Sequence, residues 1–128
     1  MRETCNHVTI YLEDTDAQGI VYHANYLKYC ERGRTDLLKL NGYTLGESQR
    51  QGVRFVVFEM QLRFLQPARL HDELEVRTTG VRSSDYRIVF KHQICRKDAA
   101  EALFVADAIV VAIDDEGELC PVPDDLLR

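Results

Sequence analysis

The chain of 128 residues has no tryptophan, 3 prolines and 4 cysteines, and its 16 Lys+Arg fall short of its 21 Asp+Glu. Each shortage excludes something. No stretch approaches the roughly 20 consecutive apolar residues of a membrane-spanning helix, and the opening Met1 to His7 lacks the apolar core of a secretory signal. A net charge of −5 argues against generic binding to nucleic acid or anionic membrane, because both attract an excess of Lys and Arg. Cys5, Cys30, Cys95 and Cys120 are dispersed and contain no C-x-x-C, so neither a zinc knuckle nor a thioredoxin-type pair is expected. His7, His23, His71 and His92 share no metal-ligand spacing. The expectation is one cytoplasmic domain over residues 1–128, with reduced thiols, no metal and no cofactor.

What is present is enough to fold. With 45% hydrophobic and 29% charged residues, disorder is excluded. Val8, Ile10 and Leu12 alternate with Thr9 and Tyr11, the period of a half-buried strand, and Glu13 to Gly19 reads as a turn. From Asn25 the period changes: Tyr26, Tyr29/Cys30, Gly33, Leu37 and Leu40 recur at helical steps up to the Asn41-Gly42 stop. Gly33 in mid-helix costs about 1 kcal/mol relative to Ala, which suggests that another backbone approaches that face. A second, short helix is expected from Thr44 to Gln51, with Thr44 and Glu47 as a capping box.

After Gly52 the pattern is strand. Phe58, Met60, Leu62 and Phe64 alternate with Glu59, Gln61 and Arg63; Leu74, Val76 and Thr78 with Glu73, Glu75 and Arg77; Ile88, Phe90, His92 and Ile94 with Val89, Lys91 and Gln93; a last strand runs from Leu103 to Ile113. The tail around Pro121 and Pro123 is expected to be irregular. Short connections favour antiparallel neighbours, so the fold class is α+β: one long helix packed on one curved antiparallel sheet of five strands. Its unpaired edges lead to an expectation of dimerisation by edge pairing.

Polar and special residues are densest between the first strand and the long helix. A helix start exposes unpaired N–H groups and the positive end of a dipole, which can stabilise an oxyanion, and a carboxylate beside it can act as base or nucleophile. The plainer reading of Asp14-Thr15-Asp16 is a turn that favours the helix dipole. Tyr11, Tyr22, Tyr26 and Tyr29 fit an aromatic pocket or ordinary amphipathic packing. Asp107, interrupting the last strand, is read as an edge residue facing water.

The joint reads Glu13-Asp14-Thr15-Asp16-Ala17-x-Gly19-x-Val21-Tyr22-His23-Ala24-Asn25-Tyr26-Leu27, followed by Glu31-Arg32-x-Arg34, with Phe55-Val56-Val57 and Pro67-Ala68-Arg69-Leu70-x-Asp72 downstream. Across about residues 8 to 113 this resembles the 4-hydroxybenzoyl-CoA thioesterase family of hotdog-fold proteins, most of all its YbgC-type acyl-CoA thioesterase branch. The resemblance implies a hotdog fold, one long central helix wrapped by the curved sheet, and hydrolysis of an acyl-CoA thioester. The family's catalytic aspartate falls on Asp16, as nucleophile or general base. The backbone N–H of His23 falls on the family's oxyanion donor, and its imidazole on a histidine that assists. Gly19, Tyr22, Asn25 and Tyr26 are the substrate-binding candidates; Arg82, Arg87 and Lys91, flanking Ser83-Ser84-Asp85, are those for CoA. Substrate sites of the family lie between subunits, which implies a homodimer or homotetramer.

Two departures stand out. The branch usually reads Val-Tyr-Tyr-Glu-Asp-Thr-Asp, with its second tyrosine suggested as a helper, whereas Leu12 occupies that place here. Tyr11 belongs to the opposite face of the expected strand, so the role is not transferred to it. Gln18 stands where a small residue is frequent. The alternative function is a non-catalytic module that binds acyl thioesters or acyl carrier protein, and behind it a hotdog dehydratase, whose local His-Asp or His-Glu motifs are not found around His71-Asp72 or His92.

Overall fold

The helical spacing that begins at Asn25 becomes α1 (Asn25–Leu40), which buries Tyr26, Tyr29, Cys30, Gly33 and Leu37 along one face. The computed structural model describes residues 2–127. Before α1 come β1 (Glu3–Thr9) and a one-turn 3-10 helix, Leu12–Asp14; after it come α2 (Leu45–Gln51), β2 (Arg54–Phe64), β3 (Glu73–Ser84), β4 (Arg87–Arg96) and β5 (Ala102–Ile113). All strands pair antiparallel in one sheet of order β1-β3-β4-β5-β2, the expected α+β architecture. The short helix is capped by Thr44, whose hydroxyl accepts the Glu47 N–H at 3.2 Å. The reciprocal half of the expected box goes elsewhere, because the Glu47 carboxylate pairs with Arg50 and Gln51.

Several local expectations are corrected. The first strand ends at Thr9 and not at Leu12: the Asp14 carboxylate accepts the Tyr11 N–H at 2.9 Å and draws the chain into the 3-10 turn, leaving Leu12 74% exposed. Leu40 is exposed too, since Tyr43 folds back beside Leu37 and fills the core at that end of the helix. In β2 the register slips between Val57 and Glu59, so Phe58 is the extra residue of a bulge. The parity of the strand reverses there. Phe55, Met60 and Leu62 pair with the buried Ala112, Ala108 and Ala106, while Phe58 turns out to solvent under the Arg87 guanidinium. The tail has no strand of its own, yet Val122, Leu126 and Leu127 are buried in the core. Asp107 does face water, but from the interior strand β5, where it pairs with Lys91 at 3.6 Å.

The largest departure is topological. Consecutive strands β2 and β3 are not neighbours: β2 lies at the edge beyond β5, and residues 65–72 carry the chain across to β3. That crossover passes the start of α1 and forms a wall of the site described below.

Helix α1 lies on the sheet through a close approach at Gly33. A Cβ built there overlaps the Thr78 hydroxyl of β3, and the Gly33 carbonyl accepts from Thr4 Oγ1 at 3.3 Å. The approaching group is thus a side chain and not the backbone expected. Beneath the helix, Thr78 Oγ1 lies 3.0 Å from His92 Nδ1 and Arg34 Nη1 lies 3.1 Å from His92 Nε2. Arginine can only donate, so Nε2 is the acceptor and Nδ1 carries the proton that goes to Thr78. Burial, reinforced by the Arg34 charge, pushes the His92 pKa down to about 3.

Two outcomes follow from this seam. Helix propensity alone would make Gly33→Ala stabilising by about 1 kcal/mol, whereas the overlap with Thr78 makes it destabilising by about 1–3 kcal/mol in urea unfolding. His92 is held neutral in the fold while the unfolded chain binds its proton below 6.5, so this group costs stability as pH falls from about 6.5 toward 3. Its contribution is a slope of about 1.4 kcal/mol per pH unit inside that window, and unfolding free energies of His92→Gln measured from pH 7 to pH 4 should decline less steeply than those of the wild type.

Candidate active site

The segment between β1 and α1 closes on itself as a small hairpin. The Tyr22 N–H donates to the Asp14 carbonyl at 2.9 Å, Thr15 and Val21 form an antiparallel bridge, and the Asp16 N–H donates to the Ile20 carbonyl at 2.9 Å. At the tip the Gly19 N–H returns to the Asp16 carbonyl at 3.1 Å, with Gly19 at φ +77°. That left-handed conformation is the reason for glycine here.

Asp16 is half-buried at the base of this tip. Its Oδ1 accepts the Gln18 N–H at 2.8 Å, and its Oδ2 has no hydrogen-bond partner among the described residues. Beyond the hairpin the chain turns directly into α1: the Asn25 N–H donates to the Tyr22 carbonyl at 2.9 Å. The N–H groups of His23 and Ala24 find no acceptor among the described residues, so the helix start presents unsatisfied donors at its positive end.

Next to this lies an open, mainly apolar cleft of ≈ 370 Å³, with His23, Tyr26, Phe64 and Leu65 in its lining. The His23 ring is tilted against Tyr22, centroids 4.5 Å apart, and meets Phe64 edge-on. Tyr26 stacks on Phe104 at 4.8 Å, and its hydroxyl accepts the Ala68 N–H at 3.2 Å. The crossover loop is stitched to α1 by this bond and to the hairpin by the Val21 N–H, which donates to the Ala68 carbonyl at 2.9 Å. At its far end the His71 N–H donates to the Ile10 carbonyl and the Ile10 N–H to the Asp72 carbonyl, both at 2.9 Å. Asp72 also accepts from its own loop, at the Arg69 N–H, and from Arg96.

The fold therefore sets Asp16 and Gly19 on the hairpin, and Tyr22, His23, Asn25 and Tyr26 at the helix start into which it leads. Their tasks differ. Tyr22 and His23 are exposed, whereas Asn25 and Tyr26 are buried, with Asn25 donating its amide to Asp14 and Tyr26 holding the crossover loop. The expected CoA residues are not brought together. Arg82 pairs with the buried Ile88, and its guanidinium donates to the Val122 and Pro123 carbonyls, while Lys91 pairs with Asp107 on the other face of the sheet and Arg87 covers Phe58. Leu12 and Tyr11 are both exposed on the 3-10 turn, so the two-face argument made for a strand does not extend to them.

One set of contacts at the site is not foreseen in the sequence. The Asp14 carboxylate receives the Tyr29 hydroxyl at 2.9 Å, the Asn25 amide at 3.1 Å and the Tyr11 N–H. Burial and the Asp14 hydrogen bond push the Tyr29 pKa well above that of an ordinary phenol. The available signal was the spacing of Asn25 and Tyr29, one turn apart on the buried helix face.

Comparison with known proteins places the chain in a family. Residues 10–128 match the family model of the thioesterase-like superfamily. The acyl-CoA thioester hydrolase YbgC of Escherichia coli O6:H1 is 36% identical over 107 residues, 84% of this chain and 79% of the relative. A probable thioesterase from Bartonella henselae superposes with a TM-score of 0.86 at 28% identity, over 94% of this chain and 99% of the other. A 1,4-dihydroxy-2-naphthoyl-CoA thioesterase from Synechocystis gives 0.86 at 25% identity, over 94% and 90%. With one long helix on a five-stranded antiparallel sheet and these matches in agreement, the chain belongs to the thioesterase-like superfamily of hotdog proteins, on its YbgC-type acyl-CoA thioesterase branch.

Proposed function

We propose that this protein hydrolyses acyl-CoA thioesters at the start of α1, with Asp16 as nucleophile or general base and the His23 N–H as oxyanion donor. The observation that carries the reading is an aspartate with an uncommitted oxygen on a hairpin that leads straight into unsatisfied helix N–H groups, beside an apolar cleft. An acyl group occupies the cleft along Phe64 and Tyr26. Its thioester carbonyl then lies near the His23 N–H, where negative charge on oxygen is stabilised as the carbonyl is attacked. Water supplies the hydroxyl of the free acid, the C–S bond breaks, and CoA leaves as the thiol. The acyl-CoA class is supported by the curated activity of the YbgC relative.

The site is completed by a second copy of the chain. Edge strand β2 carries Val56, Val57 and Phe58 at 39%, 46% and 61% exposure, an apolar edge of the kind that pairs with another strand. Pairing two β2 edges covers these residues and brings the partner's sheet toward the Phe64 end of the cleft.

Two measurements check these readings. Asp16→Asn keeps the size of the side chain and removes its charge, and turnover of acyl-CoA should fall at least about 100-fold with little change in KM; wild-type turnover would remove Asp16 from the mechanism. Val57→Lys should shift the protein to monomer in sedimentation equilibrium and lower its activity, while an unchanged oligomer would place the interface elsewhere.

A further inference from the structure

We propose that Asp14 is the positioning residue of the site: held by Tyr29 and Asn25 of α1 and by the Tyr11 N–H, it sets where Asp16 stands against the start of the helix. The proposal rests on the reading of Asp16 as the catalytic carboxylate. A turn-forming aspartate would need only the bond to Tyr11, three residues back. Asp14 has more than that. Its Oδ1 receives the Tyr29 hydroxyl at 2.9 Å and the Asn25 amide at 3.1 Å, both side chains from the helix that begins beside the cleft. Its carbonyl receives the Tyr22 N–H, which closes the hairpin one residue before His23.

The hub thus joins three pieces that have to agree in position: the end of the 3-10 turn, the hairpin bearing Asp16 and the helix start bearing the His23 N–H. Tyr29 is 1% exposed and Asn25 9%, so water cannot readily replace either donor. Asp16 follows Asp14 by two residues, and a displacement of the hub passes along the backbone to it. Misplacing a reacting group by about 1 Å costs on the order of 100-fold in rate. The Asp14 carboxylate is occupied by three donors, which is why its role is positioning.

The test is Tyr29→Phe, which removes one oxygen and no packing volume, measured alone and in the Asp16→Asn background. Tyr43→Phe is the control: it deletes a comparable tyrosyl hydrogen bond, 2.8 Å to the Val53 carbonyl, near the other end of α1. Tyr29→Phe should lower kcat about 10-fold with KM within about 2-fold, while Tyr43→Phe lowers Tm and leaves kcat alone. Because the hub acts through Asp16, Tyr29→Phe should cause no further loss once Asp16 is Asn. Asp14→Asn should lower kcat more than Tyr29→Phe if it folds, and Tyr29→Phe decides the matter if it does not. A kcat per folded molecule that is unchanged in Tyr29→Phe, while Asp16→Asn is inactive, would overturn the positioning role alone. The same fractional loss with and without the Asp16 carboxylate would overturn it as well. Wild-type turnover in Asp16→Asn would instead overturn the mechanism on which the proposal stands.

Discussion

The close approach of α1 to β3 at Gly33 is the constraint on which the rest of the structure depends. With no side chain at that position, the helix settles against the Thr78 hydroxyl, and the space beneath it is filled by the Thr78–His92–Arg34 chain of hydrogen bonds. Buried polar groups are tolerated only when satisfied; here Thr78 and His92 pair within the sheet, and Arg34 reaches His92 across the helix–sheet boundary. The seam divides the apolar interior in two. One cluster, with Tyr26, Tyr29, Ile10 and Phe104, lies toward the helix start; the other, with Leu37, Tyr43, Phe90 and Val110, lies toward its end. The position of the helix start, and of all that is hung on it, is set by where the helix lies on this seam.

From that fixed point the site is assembled by hydrogen bonds more than by packing. The crossover loop is tied to Ile10 on one side and to Val21 and Tyr26 on the other, so both flanks of the hairpin are held by one segment. Asp14 ties the hairpin to the helix from within. Around this frame the chemistry-bearing groups stay open to solvent: His23 is exposed, and the cleft beside it is lined by Phe64 and Leu65, each about half exposed. A site built this way combines a hydrogen-bonded backbone with an accessible apolar surface, which suits a reaction that depends on orienting a carbonyl and stabilising charge on its oxygen.

Much of this was legible in the sequence. The alternation in β3 and β4 and the helical period after Asn25 each reported the period of one buried face, and the structure keeps those faces. Thr44 marked the start of α2 as its cap, and the expected end at Gln51 is followed by Gly52 in the left-handed conformation. Less legible were features that depend on a single residue or on distant partners. The bulge at Phe58 reverses a face without altering composition, and the placement of β2 beside β5 is decided by pairings far apart in the chain. The DTD pattern and the residues after it pointed to Asp16 and His23 through family resemblance. The work of Asp14 was hidden because its partner Tyr29 reads as ordinary helix packing until the hydroxyl is seen to reach the carboxylate.

The central claim is that Asp16 drives hydrolysis of an acyl thioester. The most direct measurement is product identification by mass spectrometry after incubating wild type and Asp16→Asn, side by side, with short, long and aromatic acyl-CoAs. One free acid formed for each CoA thiol released by the wild type, and almost none by the variant, is the expected result. An enoyl thioester without free thiol, acid release that survives the substitution, or thioester recovered intact from every donor would contradict it.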